Sequence, residues 1–157
     1  MVVCEGGDLD GGLDRAVSFA QAVEFVLQCE GGLVDDPADP GGLTNRGISQ
    51  RAYPNEDIRN LTVERAKELY SRDYWTAARC DELPPGMALV VFDSAVNCGV
   101  SRALNWLSQY PDVDDYLWNR LAYYRGLAQK TSTLGKFLVG WCRRLELLRE
   151  AAKRAIL

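Results

Sequence analysis

Residues 33–50 read Leu33-Val34-Asp35-Asp36-Pro37-Ala38-Asp39-Pro40-Gly41-Gly42-Leu43-Thr44-Asn45-Arg46-Gly47-Ile48-Ser49-Gln50, a run so dense in Pro, Gly, Asp and Asn that no long helix passes through it. A structured loop with room for a short hairpin is expected there, interrupting a chain whose other segments carry helical periodicity. Upstream, Phe19, Val23, Val26 and Glu30 recur at helical spacing, with Asp14 as N-cap and Gly31-Gly32 as the stop. Downstream, Thr62 caps a helix with Val63, Ala66, Tyr70 and Tyr74 on one face. Pro84-Pro85 opens another, with Ala88, Val91, Phe92, Ala95 and Val96 buried and Gly99 at its end. Its Val-Val-Phe run also suits a buried strand, but the pattern extends too far for one.

Ser101 is expected to cap a short helix through Gln109, after which Pro111 breaks the chain. A helix from about Asp114 to Lys130 would turn Leu117, Leu121, Tyr124 and Ala128 inward. The last helix carries a stripe of Leu134, Phe137 or Leu138, Trp141, Leu145, Leu148 and Ala152, with Arg143, Arg144, Arg149, Lys153 and Arg154 on its other sides. The fold class is therefore mainly α, with a Gly/Pro/Asp-rich loop and at most one hairpin.

Composition narrows the chemistry. The chain has no histidine, which removes histidine triads, histidine zinc sites and histidine general bases together. Its 157 residues, 47% hydrophobic, suit one compact unit with one core. A net charge of −4 argues against holding nucleic acid. Residues 1–60 carry 11 acidic and 4 basic side chains, and residues 61–157 carry 11 and 14. Residues 1–13, rich in glycine and acid, read as a flexible acidic arm. No apolar run approaches the roughly 20 residues that span a bilayer, so no membrane insertion is expected, and the first residues lack the pattern of a signal peptide. The five cysteines are widely spaced with no CxxC pair and read as reduced thiols; no metal and no cofactor is implied.

Glu30 is the candidate for chemistry. It ends a helix on the stripe of three apolar residues, where the negative end of the helix dipole and the loss of water both disfavour an ionised carboxylate. A general acid working near neutral pH needs such a setting, and two glycines beside it leave room for a bulky polymer. The plain alternative is an exposed glutamate next to a stop signal. Asp35, Asp36 and Asp39 each offer a second carboxylate, and the Thr44 hydroxyl can position a water. Turn formation explains each Asp equally well, and a calcium loop is disfavoured by the absence of the EF-hand ligand order.

Taken whole, residues 30–49 resemble the signature of glycoside hydrolase family 108, the phage and prophage N-acetylmuramidases also described as secretion activators. The likeness continues through Leu61-Thr62, Ala66, Tyr70, Arg72-Asp73-Tyr74-Trp75, Leu83-Pro84-Pro85 and Phe92-Asp93-Ser94-Ala95-Val96-Asn97-Cys98-Gly99. The resemblance implies a lysozyme-like helical fold over residues 14–100. It also implies a shortened helical second half, residues 101–157, similar to the family's peptidoglycan-binding region and packed into the same unit.

By that resemblance Glu30 is the catalytic acid. Phage-type lysozymes place Asp after eight intervening residues and Thr after five more; here eight residues separate Glu30 from Asp39, and four separate Asp39 from Thr44. Asp36, Asn45, Asp93, Asn97, Tyr74 and Trp75 complete the expected site as substrate-binding residues. Asp93 and Asn97 share a helix face and either line the cleft or are ordinary surface polar groups. Tyr74, Trp75 and Trp141 either stack on sugars or belong to the core.

The implied substrate is the glycan strand of peptidoglycan, cut between N-acetylmuramic acid and N-acetylglucosamine by a monomer. The implied setting is the cytoplasm of a bacterial host with release through a separate pore, or a virion. The rival readings are a lytic transglycosylase and a non-catalytic wall-binding or virion-structural module.

Overall fold

A computed structural model of the chain describes residues 18–35, 42–130 and 135–155. In order, these form α1 (Phe19–Cys29), a hairpin of β1 (Thr44–Asn45) and β2 (Ile48–Ser49), and α2 (Val63–Tyr70), which runs on as a π-helical turn (Ser71–Thr76). A 3-10 turn (Cys80–Glu82), α3 (Pro85–Cys98), α4 (Val100–Gln109), α5 (Val113–Lys130) and α6 (Leu138–Arg154) follow. The architecture is mainly helical with one small antiparallel sheet, as the periodicity predicts.

Helix α1 starts where its capping chemistry is complete. Ser18 accepts from the Gln21 backbone N–H while the Gln21 side chain accepts from the Ser18 N–H, a reciprocal box that satisfies two otherwise orphaned donors. Ser18 is therefore the N-cap; Asp14, expected in that role, lies outside the described residues. Ala22, Val23 and Val26 bury one face. At the other end Glu30 leaves the helix with extended backbone angles, and its N–H still donates to the Val26 carbonyl.

The loop after α1 returns through the hairpin. Val34 pairs with Thr44 through two backbone hydrogen bonds of 2.8 and 2.9 Å, and Thr44 and Asn45 face Ser49 and Ile48. Arg46 and Gly47 form the connecting turn, both with positive φ, the geometry whose twist suits a two-residue hairpin.

Helix α3 organises the rest. Pro84 and Pro85 open it, Gly99 ends it at φ +90°, and residues 86–95 are buried all round. Helices α1, α4, α5 and α6 pack against it. The expected polar face carrying Asp93 does not exist at that position, because a helix enclosed on every side has no solvent face to offer. The Val-Val-Phe run is helical. Helix α4 begins at Val100, one residue ahead of the expected Ser101 cap, directly from Gly99. For α5 the capping carboxylate is Asp112, which accepts from the Asp114 and Asp115 N–H groups.

Phe19, Tyr70, Trp75 and Phe92 join α1, α2, the π-helical turn and α3 through edge-to-face contacts at 5.4–6.3 Å. Each such pair adds about 0.5–1.5 kcal/mol beyond burial. Among the described residues no helix is long and apolar enough to cross a membrane, and the four described cysteines are free thiols.

Candidate active site

Glu30 stands at the junction of α1, the hairpin and α6. Its side chain is 21% exposed, neither solvated nor enclosed. Gly47 closes one side: a Cβ there would lie 2.5 Å from the Tyr70 hydroxyl and 2.8 Å from Glu30 Cγ. Only glycine lets the hairpin approach this closely, and its φ of +78° independently favours glycine. Tyr70 Oη donates to the Arg46 carbonyl at 2.8 Å and fixes the turn against α2. The other side is open. Gly31 and Gly32 are exposed, with nothing within 4 Å of where their side chains would begin, and Leu33 and Val34 continue this exposed rim.

Apolar surface does not surround the carboxylate as the helical stripe suggested. Arg144 of α6 donates from Nη1 to Glu30 Oε1 at 2.9 Å, and the same guanidinium reaches Asp93 of α3 through Nη2 at 2.7 Å and Nε at 3.0 Å. Asp93, 0% exposed, accepts at its other oxygen from Arg120 Nη1 of α5 at 2.7 Å. Arg120, equally buried, also donates to Ser94 Oγ and, through Nε and Nη2, to the Tyr124 hydroxyl.

The result is an alternating row, Glu30, Arg144, Asp93, Arg120, in which each charge touches its opposite. Burial pushes the Asp93 carboxyl up, but the Arg120 and Arg144 guanidiniums outweigh it and hold the group below its ordinary value. Burial also works against the charge on Arg144, and Asp93 and Glu30 reverse that, raising it. Cys29, the residue before Glu30, is a half-buried thiol raised chiefly by burial.

The expected site residues divide accordingly. Asp93 is not on a cleft wall: both its oxygens are taken by arginines. Asn97 is separated from it, exposed at the end of α3, with its amide donating to the Asp93 carbonyl. Asn45 is buried, its amide donating to the Ile58 carbonyl at 3.0 Å, which anchors the hairpin and removes that side chain from substrate contact. Trp75 is core, with its indole N–H donating to Asp81. Tyr74 is half-buried against the ring of Tyr70, and Trp141 stacks on Tyr124 at 4.6 Å.

Thr44 lies in β1 with its hydroxyl donating to the Gly42 carbonyl at 3.3 Å. Asp35 is exposed and paired with Arg59 at 2.6 Å. Asp36 and Asp39 lie outside the described residues. Among the described residues no group of three or more His, Cys, Asp or Glu side chains is placed to hold a metal ion.

Arg144 and Arg120 were missed by sequence reasoning, which put Arg144 on the outer sides of its helix. A signal existed: Arg144 stands three after Trp141 and four before Leu148, and Arg120 three after Leu117 and four before Tyr124. Both therefore share a face with inward residues.

Residues 23–99 match the family model described as Glycosyl hydrolase 108. This segment belongs to glycosyl hydrolase family 108. The structure of SagA from Brucella abortus matches with a TM-score of 0.76 at 27% identity, covering 88% of this chain and 95% of that one. A comparison with curated proteins found no match. The fold is lysozyme-like, and a function of the general peptidoglycan-hydrolase type follows from the family. The structural likeness covers more of the chain than residues 23–99 alone.

Proposed function

We propose that the protein is an N-acetylmuramidase, hydrolysing the β-1,4 bond between N-acetylmuramic acid and N-acetylglucosamine in peptidoglycan with Glu30 as general acid. The observation that carries this reading is the partly exposed Glu30 carboxylate, flanked by open glycine backbone and backed by a fixed guanidinium. The acid proton passes to the glycosidic oxygen, which leaves with the electrons of the broken C–O bond. The carboxylate left behind develops where Arg144 Nη1 already points, so the new charge meets a donor that needs no rearrangement. While Glu30 is neutral, Asp93 keeps Arg144 paired.

Water then adds to the anomeric carbon. We assign its orientation, or support of the oxocarbenium-like transition state, to Asp39 on its spacing from Glu30, with Thr44 assisting. Cleavage at this bond dismantles the wall, and lysis of a bacterial host is the setting we attach to it. A lytic transglycosylase is the second reading. It is favoured by the pairing of the described carboxylates near Glu30, since Asp93 is saturated by arginines and Asp35 is held by Arg59.

The test is digestion of purified walls by the wild type and Glu30→Gln, followed by mass spectrometry of the products. Clearing by the wild type alone, with products that have gained water, is expected. Equal clearing by both overturns the role of Glu30, and products one water lighter establish the transglycosylase.

A further inference from the structure

The row of charges behind Glu30 has a feature that simple anchoring of an acid does not require. An arginine facing one carboxylate commonly offers it two parallel N–H groups, the strongest form of the pair. Arg144 does not do so for Glu30. Its Nε and Nη2 both go to Asp93 Oδ1, and Nη1 alone serves Glu30. Asp93 holds this share because Arg120, completely buried and oriented by Ser94 and Tyr124, keeps it charged and in place.

We propose that Asp93 is a positioning residue for the reaction of Glu30, dividing the Arg144 guanidinium so that the acid is touched by one N–H rather than clamped by two. This rests on the reading of Glu30 as the acid. A clamped carboxylate has both oxygens taken by the guanidinium, whereas one with a single donor keeps its second oxygen clear of Arg144 for the substrate and still finds Nη1 in place when its charge develops. Asp93 also offsets the positive charge that Arg120 and Arg144 jointly place behind the acid.

The other groups facing this point are Cys29 from α1 and Tyr70 from α2, both neutral at ordinary pH because burial raises them. Tyr124 and Cys98, whose side chains meet at 3.5 Å, lie behind Arg120. The Arg46 side chain on the hairpin is turned to the Leu61 carbonyl. No anion among these takes the place of Asp93.

The test is the pH profile of wall cleavage by the full-length protein in three variants. Asp93→Asn removes the negative charge. Asp93→Asn combined with Arg120→Met also removes the buried cation that the single change would strand. Asp93→Glu restores the charge. The alkaline limb of the profile is expected to move to lower pH in the first two, by about one unit in Asp93→Asn, where both arginines lose their shared counter-charge, and by less in the double variant, where only the freed Arg144 fork acts on the acid. It should return towards the wild-type position in Asp93→Glu even if the rate there is lower. The carboxyl-carbon NMR resonance of Glu30, followed against pH in the double variant, gives the same reading without turnover.

A limb and a titration midpoint that stay in place while rates fall at every pH make Asp93 a packing residue only and overturn the proposal. Retained activity in Glu30→Gln overturns instead the reading on which the proposal rests, so the two failures are distinct.

Discussion

The two sides of Glu30 are built by different physics. On the α1 and hairpin side the chain uses backbone: two glycines with open space, a third at positive φ against the carboxylate, and strand pairs that hold the turn. On the α3, α5 and α6 side it uses buried charge, with two arginines and an aspartate in contact, two of the three wholly enclosed. The first side exposes the acid and the second sets what it feels. Residues 23–99 contain the acid and one buried anion, yet both cations come from helices beyond residue 99. The later helices thus complete the site.

This contrast can be broken by changing one side at a time. The largest effect belongs to the acid itself: Glu30→Gln should lower wall cleavage by at least about 100-fold, the usual contribution of a positioned proton donor. It should leave the thermal midpoint almost unchanged, since the amide still offers an oxygen to Arg144. Loss of folding with loss of activity, seen by circular dichroism, would mean that Glu30 is structural.

On the buried side the effect should fall on stability. Asp93→Asn strands Arg120 without its counter-charge and should cost about 3–5 kcal/mol in urea unfolding, the range for breaking one member of a buried pair. The paired change with Arg120→Met should recover most of that loss. A cost no greater for the single than for the double variant would show that the ion pair is not the unit.

The same pair fixes a pH dependence. The Asp93 carboxyl is held below its ordinary value in the folded state, so its contribution is fully present above the ordinary carboxylate range, and is lost as pH falls through its lowered folded value. Unfolding curves between pH 7 and pH 2 should show a steeper acid loss for the wild type than for Asp93→Asn. Parallel curves would contradict this.

On the backbone side, Gly47→Ala should cost about 1–3 kcal/mol for the positive φ, and it should also depress cleavage, because the new methyl pushes on Tyr70 and Glu30. The smallest effect is expected outside both regions: Asp35→Asn breaks an exposed pair and should change stability by no more than about 1 kcal/mol.

The same division explains what could be read from sequence. Glycines, prolines and caps act locally, so the end of α1 at Gly31-Gly32, the Thr62 cap, the Pro84-Pro85 start and the hairpin within residues 33–50 are all legible. Glu30 stands out for the same reason. Asp93 was misplaced because its helix carries apolar residues on every side, and a periodicity argument assumes that one side meets water. Arg144 was read by residue type, as a charge that belongs outside, and Arg120 was passed over, although the spacing of both put them with inward residues. Asn45 and Trp75 look like binding groups until the carbonyl and carboxylate that hold them, on Ile58 and Asp81, are seen.

The most direct measurement is the rate at which new sugar ends appear on purified peptidoglycan, compared for wild-type and Glu30→Gln protein shown to be equally folded. A fall of two orders of magnitude or more is expected. Equal rates would remove the proton donor from the account and leave the buried arginines with no acid to serve.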